Sequence, residues 1–231
     1  LLTLTSLFWA FNTIAGRAAV DEVSPLLVVS VRWFFVSFLL TFLCRKELFE
    51  TWKVLKYRVK WLVIMGLFGF TSFNSFYYIA AHDTIAINLG LVQGTMPAFI
   101  IIISRIWLKE KINIPQLIGV IITFVAVLLV VSSGNLYALM KLQLNKGDIV
   151  MIFACTLYAV YAVGLRKKPK IGALVLLTFF SYVAFIGSLP GLFYETFTSN
   201  LVLPGMKGII ILSIIIILSL IHISEPTRPL Y

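Results

Sequence analysis

Three polar side chains stand inside apolar segments, where each needs a hydrogen-bond or charge partner. Asn12 and Arg17 interrupt the run from Leu1 to about Val20, and Arg32 interrupts the next run. Burying an amide or a guanidinium in an apolar medium costs free energy unless the group faces a partner or a polar cavity. An amide can hydrogen-bond a solute, and a guanidinium attracts anionic groups such as carboxylates. The chemistry that these residues suggest is recognition of a solute.

Residue patterns that carry catalysis or bind cofactors are absent from the sequence. It contains no GxxxxGK[ST] phosphate-binding motif, which disfavours ATP-driven transport by this chain. Its two histidines, His82 and His222, form no cluster with metal-ligand spacing. Cys44 and Cys155 lie far apart in the sequence and give no disulfide framework. We therefore expect no enzymatic activity, no cofactor and no metal site.

The elements that position these side chains are apolar helices. The chain of 231 residues is 61% hydrophobic and only 12% charged, whereas soluble domains have about 25% charged residues. A membrane-spanning helix needs about 20 mostly apolar residues. Such segments occur at 1–20, 26–44, 61–80, 84–107, 114–131, 148–165, 172–190 and 205–223. The sequence thus predicts an all-α, polytopic membrane protein with eight helices in a bundle.

The net charge of +10 is distributed unevenly among the connections. Thirteen of the nineteen Lys and Arg residues fall in alternate connections, at 45–60, 105–111 and 166–170. By the positive-inside rule these connections and the N-terminus are cytoplasmic. Topology accounts for the charge, so we expect the lipid bilayer as a partner and no nucleic acid. The sequence leaves open whether the chain forms a homodimer.

A faint internal repeat relates the two ends of the chain. An offset of 149 residues aligns Trp9 with Tyr158 and Arg17 with Arg166. Five spans separate the two starts, so the second copy enters the membrane in the opposite direction, as in many transporters. The prediction is two inverted five-helix repeats, with the second truncated after three helices. The predicted domains are a first repeat at 1–131, a linker at 132–147, an incomplete second repeat at 148–218 and a tail at 219–231.

Both ends of the sequence look incomplete. The first residue is not Met, and the chain starts inside an apolar segment. The Ile-rich run before Leu218 changes abruptly to LIHISEPTRPLY, which resembles translated sequencing-adapter read-through. We therefore expect the tail at 219–231 to have no function, with a short polar tail in the cytoplasm as the alternative.

The spacing of several motifs resembles the EamA domain of the drug/metabolite transporter superfamily. The opening Trp9-Ala10-Phe11-Asn12, followed by Arg17, Pro25 and Arg32, is similar to the start of that domain. Pro97 and Leu108-Lys109-Glu110-Lys111 match its fourth helix and the cytoplasmic end of that helix. The stretch GDIVMIFACTLYAVYAVGLR resembles the start of a second copy. Ala10 departs from the pattern, because the family usually has Gly there.

The resemblance implies a secondary transporter that exports amino acids, other metabolites or drugs through a central cavity between two inverted halves. The expected partner is a small-molecule substrate, and the expected location is the cytoplasmic (inner) membrane of a bacterium or archaeon. No Asp or Glu stands in the middle of a span, so a carboxylate proton relay is not evident. The alternatives are a channel-like or structural membrane subunit, a membrane-embedded enzyme, or a fragment that is inactive on its own.

Polar and aromatic residues within the spans are the candidates for a substrate pathway. Asn12 lines a cavity or bonds a neighbouring helix. The face of helix three that carries Asn74 and Tyr77 forms either a cavity wall or packing. In helix four, Gly90 and Gly94 permit close helix approach, with Gln93 beside them. The predicted pathway residues are Trp9, Asn12, Asn74, Tyr77, Gln93, Tyr158 and Tyr161.

A second group of residues is predicted to gate the pathway or to anchor the helices. Arg17 snorkels to the outer interface and pairs with Asp21 at i+4, or it attracts an anionic group at the outer mouth. Arg32 has no acidic residue at i±3 or i±4, so it forms an interhelical bond or contacts the substrate. Pro97 can kink its helix. The full group is Arg17, Arg32, Pro97 and Glu110.

Overall fold

A computed structural model describes residues 2–131, 145–198 and 200–221, and every regular element in these ranges is helical. The α-helices are α1 (Leu2–Ala18), α2 (Pro25–Leu43), α3 (Arg45–Glu50), α4 (Trp52–Tyr57), α5 (Val59–Gly66), α6 (Phe73–Asp83), α7 (Ala86–Gly94), α8 (Met96–Leu108), α9 (Ile114–Val131), α10 (Lys146–Gly164), α11 (Ala173–Phe197) and α12 (Met206–Ile221). A π-helical segment, Leu67–Ser72, joins α5 to α6, and a 3₁₀ turn, Leu165–Lys167, follows α10.

A helix stands at each of the eight segments that the sequence predicts to span the membrane. In the described ranges five are long and apolar enough to cross: Pro25–Leu43, Val59–Asp83, Ala86–Leu108, Lys146–Lys167 and Ala173–Phe197. The shorter apolar helices are Ile114–Ala126 and Met206–Ser219, and α1 has 17 residues. The prediction of an all-α, polytopic membrane protein is confirmed. Helix α12 extends three residues into the predicted tail at 219–231, and the rest of that tail lies outside the described residues.

Two helix boundaries differ from the predicted ones for local reasons. Helix α10 begins at Lys146, two residues early, because Asn145 and Asp148 form a capping box at its N-terminus. Helix α11 continues past the predicted end at residue 190 to Phe197, with Pro190 inside it. Contacts with α2 on both sides of this proline, from Ser188 and Glu195, hold the helix together.

Two of the spans are interrupted. The span Val59–Asp83 contains the π-helical segment. The span Ala86–Leu108 breaks at Thr95, and Pro97 lies in the first turn of α8. A proline has no N–H to donate and is accommodated at a helix start, so the break lies where Pro97 predicts a kink.

Helices α2 and α11 form the central antiparallel pair of the bundle. The Ser30 and Ser188 hydroxyls are 2.8 Å apart. At one end the Leu26 N–H donates to Glu195 Oε1 at 3.1 Å, where the carboxylate meets the positive N-terminal end of α2. At the other end Cys44 Sγ lies 3.2 Å from Thr178 Oγ1. The pair is thus joined by polar contacts along its whole length.

The helices around this pair pack in reciprocal combinations. Helix α6 packs on α10, and α12 packs on α1. Helix α5 and the π-helical segment pack on α11, and α12 packs on α2. An inverted repeat would produce these reciprocal contacts. It would relate the packing of the third predicted span on the sixth to the packing of the eighth predicted span on the first. The predicted repeat boundaries stay a prediction, and most of the predicted linker at 132–147 lies outside the described residues.

The predicted close approach of a neighbouring helix to Gly90 and Gly94 is not found. Within the described ranges no atom beyond their own helix lies within 4 Å of a Cβ built on either residue. A close approach occurs at Gly147 of α10, where a Cβ would lie 2.6 Å from the backbone oxygen of Ala80. A small residue that brings two spans together therefore stands at the start of α10.

Candidate functional site

A cavity of about 760 Å³ lies between the helices of the first predicted repeat and those of the second. It is large enough for a metabolite-sized ligand, because small-molecule sites have about 300–1,000 Å³. Its walls come from α1, α2, the π-helical segment, α6, α7, α8, α10, α11 and α12. The lining residues are Trp9, Asn12, Arg32, Trp33, Val36, Leu43, Gly69, Phe70, Phe73, Asn74, Gln93, Met96, Tyr158, Tyr161, Leu165, Lys168, Ala173, Leu174, Leu176, Leu177, Phe180 and Ser219.

The cavity reaches the end of the bundle that carries the basic connections, which we call the basic end. Leu43 at the end of α2 and Leu174 at the start of α11 line its mouth, together with Leu165 and Lys168 between α10 and α11. Leu43 and Lys168 are exposed there. A solute can therefore enter from the basic end.

The opposite end, which we call the closed end, is packed. A Cβ built on Gly16 of α1 would lie 3.2 Å from the Tyr77 ring and 3.3 Å from the Tyr78 ring. Ala80 and Ala81 of α6 are fully buried. The described lining of the cavity does not include Tyr77, Tyr78, Ala80 or Ala81. The packing of α1 against α6 thus forms the floor of the cavity.

Arg32 lies in the cavity wall, 7% exposed. Its Nη1 donates to Asn74 Oδ1 at 3.1 Å and to the Tyr78 hydroxyl at 3.2 Å. The Asn74 amide nitrogen donates to the backbone oxygen of Phe70 at 2.7 Å, which fixes the direction of Oδ1. The Arg32 guanidinium carbon lies 5.0 Å from the centre of the Trp33 ring. Neutral groups therefore hold this buried cation in place.

Three buried polar atoms of the cavity residues have no hydrogen-bond partner within the described ranges. They are Arg32 Nε, Trp33 Nε1 and Asn12 Oδ1. Two are donors and one is an acceptor. Buried polar atoms are normally satisfied, so these three atoms are exceptions among the residues that line the cavity. Asn12 does not form the predicted interhelical bond through this oxygen.

Aromatic rings from both predicted repeats form one wall of the cavity. Phe70 lies 5.1 Å from Trp33 and 5.5 Å from Tyr161, between ring centres. Tyr158 lies 5.0 Å from Phe73 and 5.5 Å from Tyr161. Aromatic pairs at these distances attract one another and offer flat apolar surface to a ligand.

Gly69 lets the backbone of the π-helical segment approach this wall. A Cβ built there would overlap the Tyr161 ring. Glycine is the residue that permits such contact between a backbone and an aromatic face. π-Helical turns occur often at functional sites, and this one carries Gly69 and Phe70 into the cavity lining.

The structure brings together six of the seven predicted pathway residues, since all but Tyr77 line the cavity. Tyr77 lies nearly one helical turn beyond Asn74, in the packed floor. Of the predicted gating or anchoring residues, Arg32 lines the cavity, whereas Arg17, Pro97 and Glu110 do not. These are positions in the fold, and the roles of the residues stay predictions.

The predicted ion pair between Arg17 and Asp21, both of them described, is not formed. Helix α1 ends at Ala18, and Asp21 has a backbone φ of +67°. An i, i+4 pair requires helical backbone between its members. The turn after α1 therefore removes the geometry on which the prediction depended.

Glu110 joins the two predicted repeats at the basic end. Its Oε1 accepts a hydrogen bond from Arg166 Nη1 in a partly exposed ion pair. Its Oε2 accepts a hydrogen bond from Ser104 Oγ at 2.6 Å. The Ser104 hydrogen bond, together with the Arg166 guanidinium, holds the pKa of the Glu110 carboxyl below its usual range. Glu110 thus stays ionised at neutral pH and links the connection after α8 to the 3₁₀ turn after α10.

Two residues outside the predicted set have clear structural roles. Asp148 is buried, and its Oδ1 accepts hydrogen bonds from Thr84 at 2.6 Å and Asn88 at 3.3 Å. The spacing Asn145-x-x-Asp148 is a capping-box signal that could have found it. Trp33 lines the cavity next to Arg32, and no sequence pattern distinguishes it from a packing residue.

Metal binding finds no support in the part of the chain that the structure describes. It holds no group of three or more His, Cys, Asp or Glu side chains close enough to share an ion. Cys44 and Cys155 are both free and buried. Among the described lining residues, the polar groups are one guanidinium, one ammonium, amides, two indole N–H groups and hydroxyls.

Comparison with known proteins agrees with this architecture. Residues 1–132 match the model of the EamA-like transporter family. The uncharacterized transporter YyaM of Bacillus subtilis (strain 168) is 28% identical over 138 residues, which cover 60% of this chain and 45% of that protein. An uncharacterized transporter of Archaeoglobus fulgidus is 25% identical over 174 residues, 72% of this chain and 58% of that protein. One from Buchnera aphidicola subsp. Schizaphis graminum is 25% identical over 177 residues, 73% of this chain and 55% of that protein.

The chain spans about half the length of the curated relatives that it matches. The matched family region contains Asn12, Arg32, Asn74 and Gln93, which form the first-repeat side of the cavity. Since the family model covers more than half of the chain, and the helices are long and apolar enough to cross a membrane, the chain is an integral membrane protein that belongs to the EamA-like transporter family.

Proposed function

We propose that this chain belongs to a secondary transporter that exports small organic metabolites, such as amino acids or related compounds, or drugs. The observation that carries the proposal is the cavity between the two predicted repeats, which reaches the basic end and is closed by packing at the other. A site at a repeat interface with access from one end is what alternating access requires in one of its two states. The family and its transporter relatives support the same class.

The proposed orientation follows from the charge of the connections. The basic end carries Arg45 to Lys60 and Arg166 to Lys170, so the positive-inside rule makes it cytoplasmic. The cavity would then load from the cytoplasm and release on the far side, which is the direction of export. We assign the protein to the cytoplasmic membrane of a bacterium or archaeon, in keeping with the sources of its relatives.

The cavity chemistry supports transport rather than catalysis. It offers hydrogen-bonding groups and aromatic surface, whereas no histidine, cysteine or carboxylate occurs among the described residues that line it. General acid–base and nucleophilic catalysis depend mostly on such groups. A permanently open channel is a poorer match, because Gly16 packs closely on Tyr77 at the closed end.

The test is efflux from cells. The open reading frame that carries this sequence would be recovered from genomic DNA past Leu218 and expressed in a strain hypersensitive to amino acids and toxic analogues. We expect resistance and measurable efflux of at least one compound class. No efflux and no resistance across a broad panel, with the protein present in the membrane, would contradict the proposal.

A matched pair of variants links this assay to the cavity. Asn12 lines the cavity, and Arg17 on the same helix does not. We expect Asn12→Leu to lower efflux at normal membrane levels, because it removes from the cavity wall an amide whose oxygen has no partner among the described residues. Arg17→Leu should change the membrane level or topology and leave the efflux per molecule near that of the wild type. Equal loss of efflux in both variants at normal membrane levels would contradict the assignment of the pathway.

A further inference from the structure

The cavity carries positive charge that no carboxylate in its lining compensates. Arg32 and Lys168 line it, and no Asp or Glu does so among the described residues. The two ion pairs found in the described ranges lie elsewhere, between Glu110 and Arg166 and between Glu22 and Lys207. A ligand that enters the cavity thus meets cationic groups and neutral dipoles.

Arg32 is the deeper of the two cations, and its protein partners are all neutral. Asn74 and the Tyr78 hydroxyl bind Nη1, and Nε has no partner within the described part of the chain. A buried charge is costly without a counter-charge. The planar fork of a guanidinium matches the geometry of a carboxylate, with which it can form two parallel hydrogen bonds. An organic carboxylate in the cavity would supply the missing charge.

The guanidinium is also held in place before any ligand binds. The Asn74 amide is fixed by the Phe70 carbonyl at 2.7 Å, and the Trp33 ring lies 5.0 Å from the guanidinium carbon. A group that is already oriented loses less conformational entropy when a ligand binds. The Trp33 Nε1 donor, likewise without a partner among the described residues, stands in the same wall.

The rest of the lining suits an apolar or aromatic body. Phe70, Phe73, Tyr158 and Tyr161 form a continuous aromatic wall with ring centres 5.0 to 5.5 Å apart where they pair. A flat hydrocarbon group stacks well on such a surface. An ammonium group would find no carboxylate among the described lining residues and would be repelled by Arg32 and Lys168.

We infer that the cavity binds organic anions with one carboxylate and an apolar or aromatic body, with Arg32 as the residue that receives the carboxylate, in preference to zwitterionic amino acids. This inference rests on the proposed transport function and narrows its substrate class. The preference follows from the charges of the lining residues that the structure describes, which are two cations and no anion.

Binding of four compounds with one aromatic ring each tests the preference. They are 3-phenylpropanoate, L-phenylalanine, 2-phenylethylamine and 3-phenylpropanol, which are an anion, a zwitterion, a cation and a neutral alcohol. The chain would be purified in lipid nanodiscs, and the fluorescence of Trp9 and Trp33 in the cavity lining would report binding. We expect the anion to bind about tenfold more tightly than the zwitterion, since one desolvated charge contact changes affinity by that order. Equal or tighter binding of L-phenylalanine, or no saturable response to any compound, would overturn the inference.

Variants at Arg32 locate the charge contact. Arg32→Gln should weaken binding of 3-phenylpropanoate by about tenfold or more and leave 3-phenylpropanol unchanged, because only the anion uses the charge. Arg32→Lys should keep part of the anion affinity, since it keeps the charge and loses the planar fork. Lys170→Gln removes an exposed charge outside the cavity lining and serves as the matched control.

The neutral alcohol separates a loss of recognition from a loss of folding. If Arg32→Gln binds 3-phenylpropanol normally and retains its affinity for the anion, Arg32 is not the anchor and the inference fails. If that variant does not fold, two other measurements test the inference: the affinities of the wild type for the four compounds, and the affinity of Arg32→Lys for the anion. A wild-type preference for the anion that is reduced in Arg32→Lys supports Arg32 as the residue that receives the carboxylate. Any other result contradicts that role.

Transport measurements distinguish this inference from the proposed function. The complete gene product would be reconstituted in liposomes loaded with each compound. Efflux of L-phenylalanine that is faster than that of the anion and insensitive to Arg32→Gln would overturn the anion preference and leave the transporter proposal intact. Binding in the expected order without efflux of any compound would contradict the transporter proposal and leave the anion site intact.

Discussion

The two ends of the helical bundle are held together by different chemistry. At the closed end, Gly16 packs on Tyr77, and the buried Asp148 accepts hydrogen bonds from Thr84 and Asn88. At the basic end, the cavity separates the helices, and the ion pair between Glu110 and Arg166 is partly exposed. Buried contacts contribute more stability than exposed ion pairs, which water and salt screen.

This difference indicates where a change of access would meet resistance. Opening the closed end would separate α1 from α6. It would also separate Asp148 from Thr84, in the connection after α6, and from Asn88 in α7. Closing the basic end would bring together groups that water already reaches. We therefore infer that the closed end sets the stability of the state described here, and that the basic end adjusts at small cost.

The largest effect is expected in thiol accessibility. Cys44→Ser and Cys155→Ala first remove the native thiols. In that background, Leu174→Cys places a thiol at the cavity mouth, where Leu174 is 37% exposed. Ala81→Cys places a thiol in the fully buried floor. Thiol reactivity follows access and thiolate character, so the mouth should react with a membrane-impermeant maleimide more than about tenfold faster. Inside-out vesicles give the rates, and Ala18→Cys, an exposed position at the closed end, is the control. Similar rates at the mouth and in the floor would remove the distinction between the two ends.

The second effect is the loss of the buried carboxylate at the closed end. Asp148→Ala deletes the capping-box partner of Asn145 and the acceptor for Thr84 and Asn88. We expect the free energy of unfolding to fall by about 2–4 kcal/mol, because several donors lose their acceptor at once. Unfolding in mixed micelles with increasing denaturing detergent measures it. The exposed Asp83 at the same end gives the control, since Asp83→Ala should change stability by less than about 0.5 kcal/mol.

A third effect compares one substitution at two glycines. Gly69→Ala forces a methyl group into the Tyr161 ring and should destabilise the chain by about 1–3 kcal/mol through overpacking. Gly90→Ala meets open space within the described ranges and should stabilise its helix by up to about 1 kcal/mol. Thermal unfolding of both variants measures these changes, with a lower unfolding temperature expected for Gly69→Ala and a higher one for Gly90→Ala. Equal shifts would mean that Tyr161 does not lie against the π-helical segment.

The smallest effect is expected from the ion pair at the basic end. The pKa of the Glu110 carboxyl is lowered by the Ser104 hydrogen bond and by Arg166, so its contribution is present at neutral pH. It should be lost as the pH falls below the ordinary glutamate value of about 4.3 and through the lowered pKa of the folded state. Glu110→Gln should therefore lower the unfolding temperature slightly at pH 7 and not in acid.

Added salt should reduce the Glu110 effect, because the pair is partly exposed. Glu50→Gln, at an exposed position of α3, is the matched control and should show neither the pH nor the salt dependence. A loss of stability in Glu110→Gln that exceeds the loss in Asp148→Ala would reverse the comparison between the two ends.

Much of the fold follows from composition and periodicity, whereas the site follows from them only in part. Apolar segments of the length of a bilayer predict the eight helices, because only such runs can satisfy their backbone in lipid. The polar residues Asn12, Asn74 and Gln93 stand out in those segments, and the structure places all three in one cavity. Tyr77 shares their pattern, yet it lies in the floor, because helical spacing gives a face and leaves depth undetermined.

Other features depend on partners that are distant in the sequence. Arg32 meets Asn74 and Tyr78 from another span, and Glu110 meets Arg166 from the other predicted repeat. The Arg17–Asp21 pair was predicted from local spacing, and it fails because α1 ends at Ala18. A local pattern therefore predicted a contact that the turn prevents, and no local pattern could select the distant ones.

The sequence by itself determined that this chain is a helical membrane protein of the EamA-like transporter family, because span length, family motifs and apolar composition are local properties. The tertiary structure alone decided that Arg32 lines a cavity with no carboxylate in its described lining, and that this cavity reaches the basic end. The physical reason is that a helix sequence specifies which residues share its face. Which helices meet, and at what depth they touch, depends on the summed packing of α2, α6, α10 and α11.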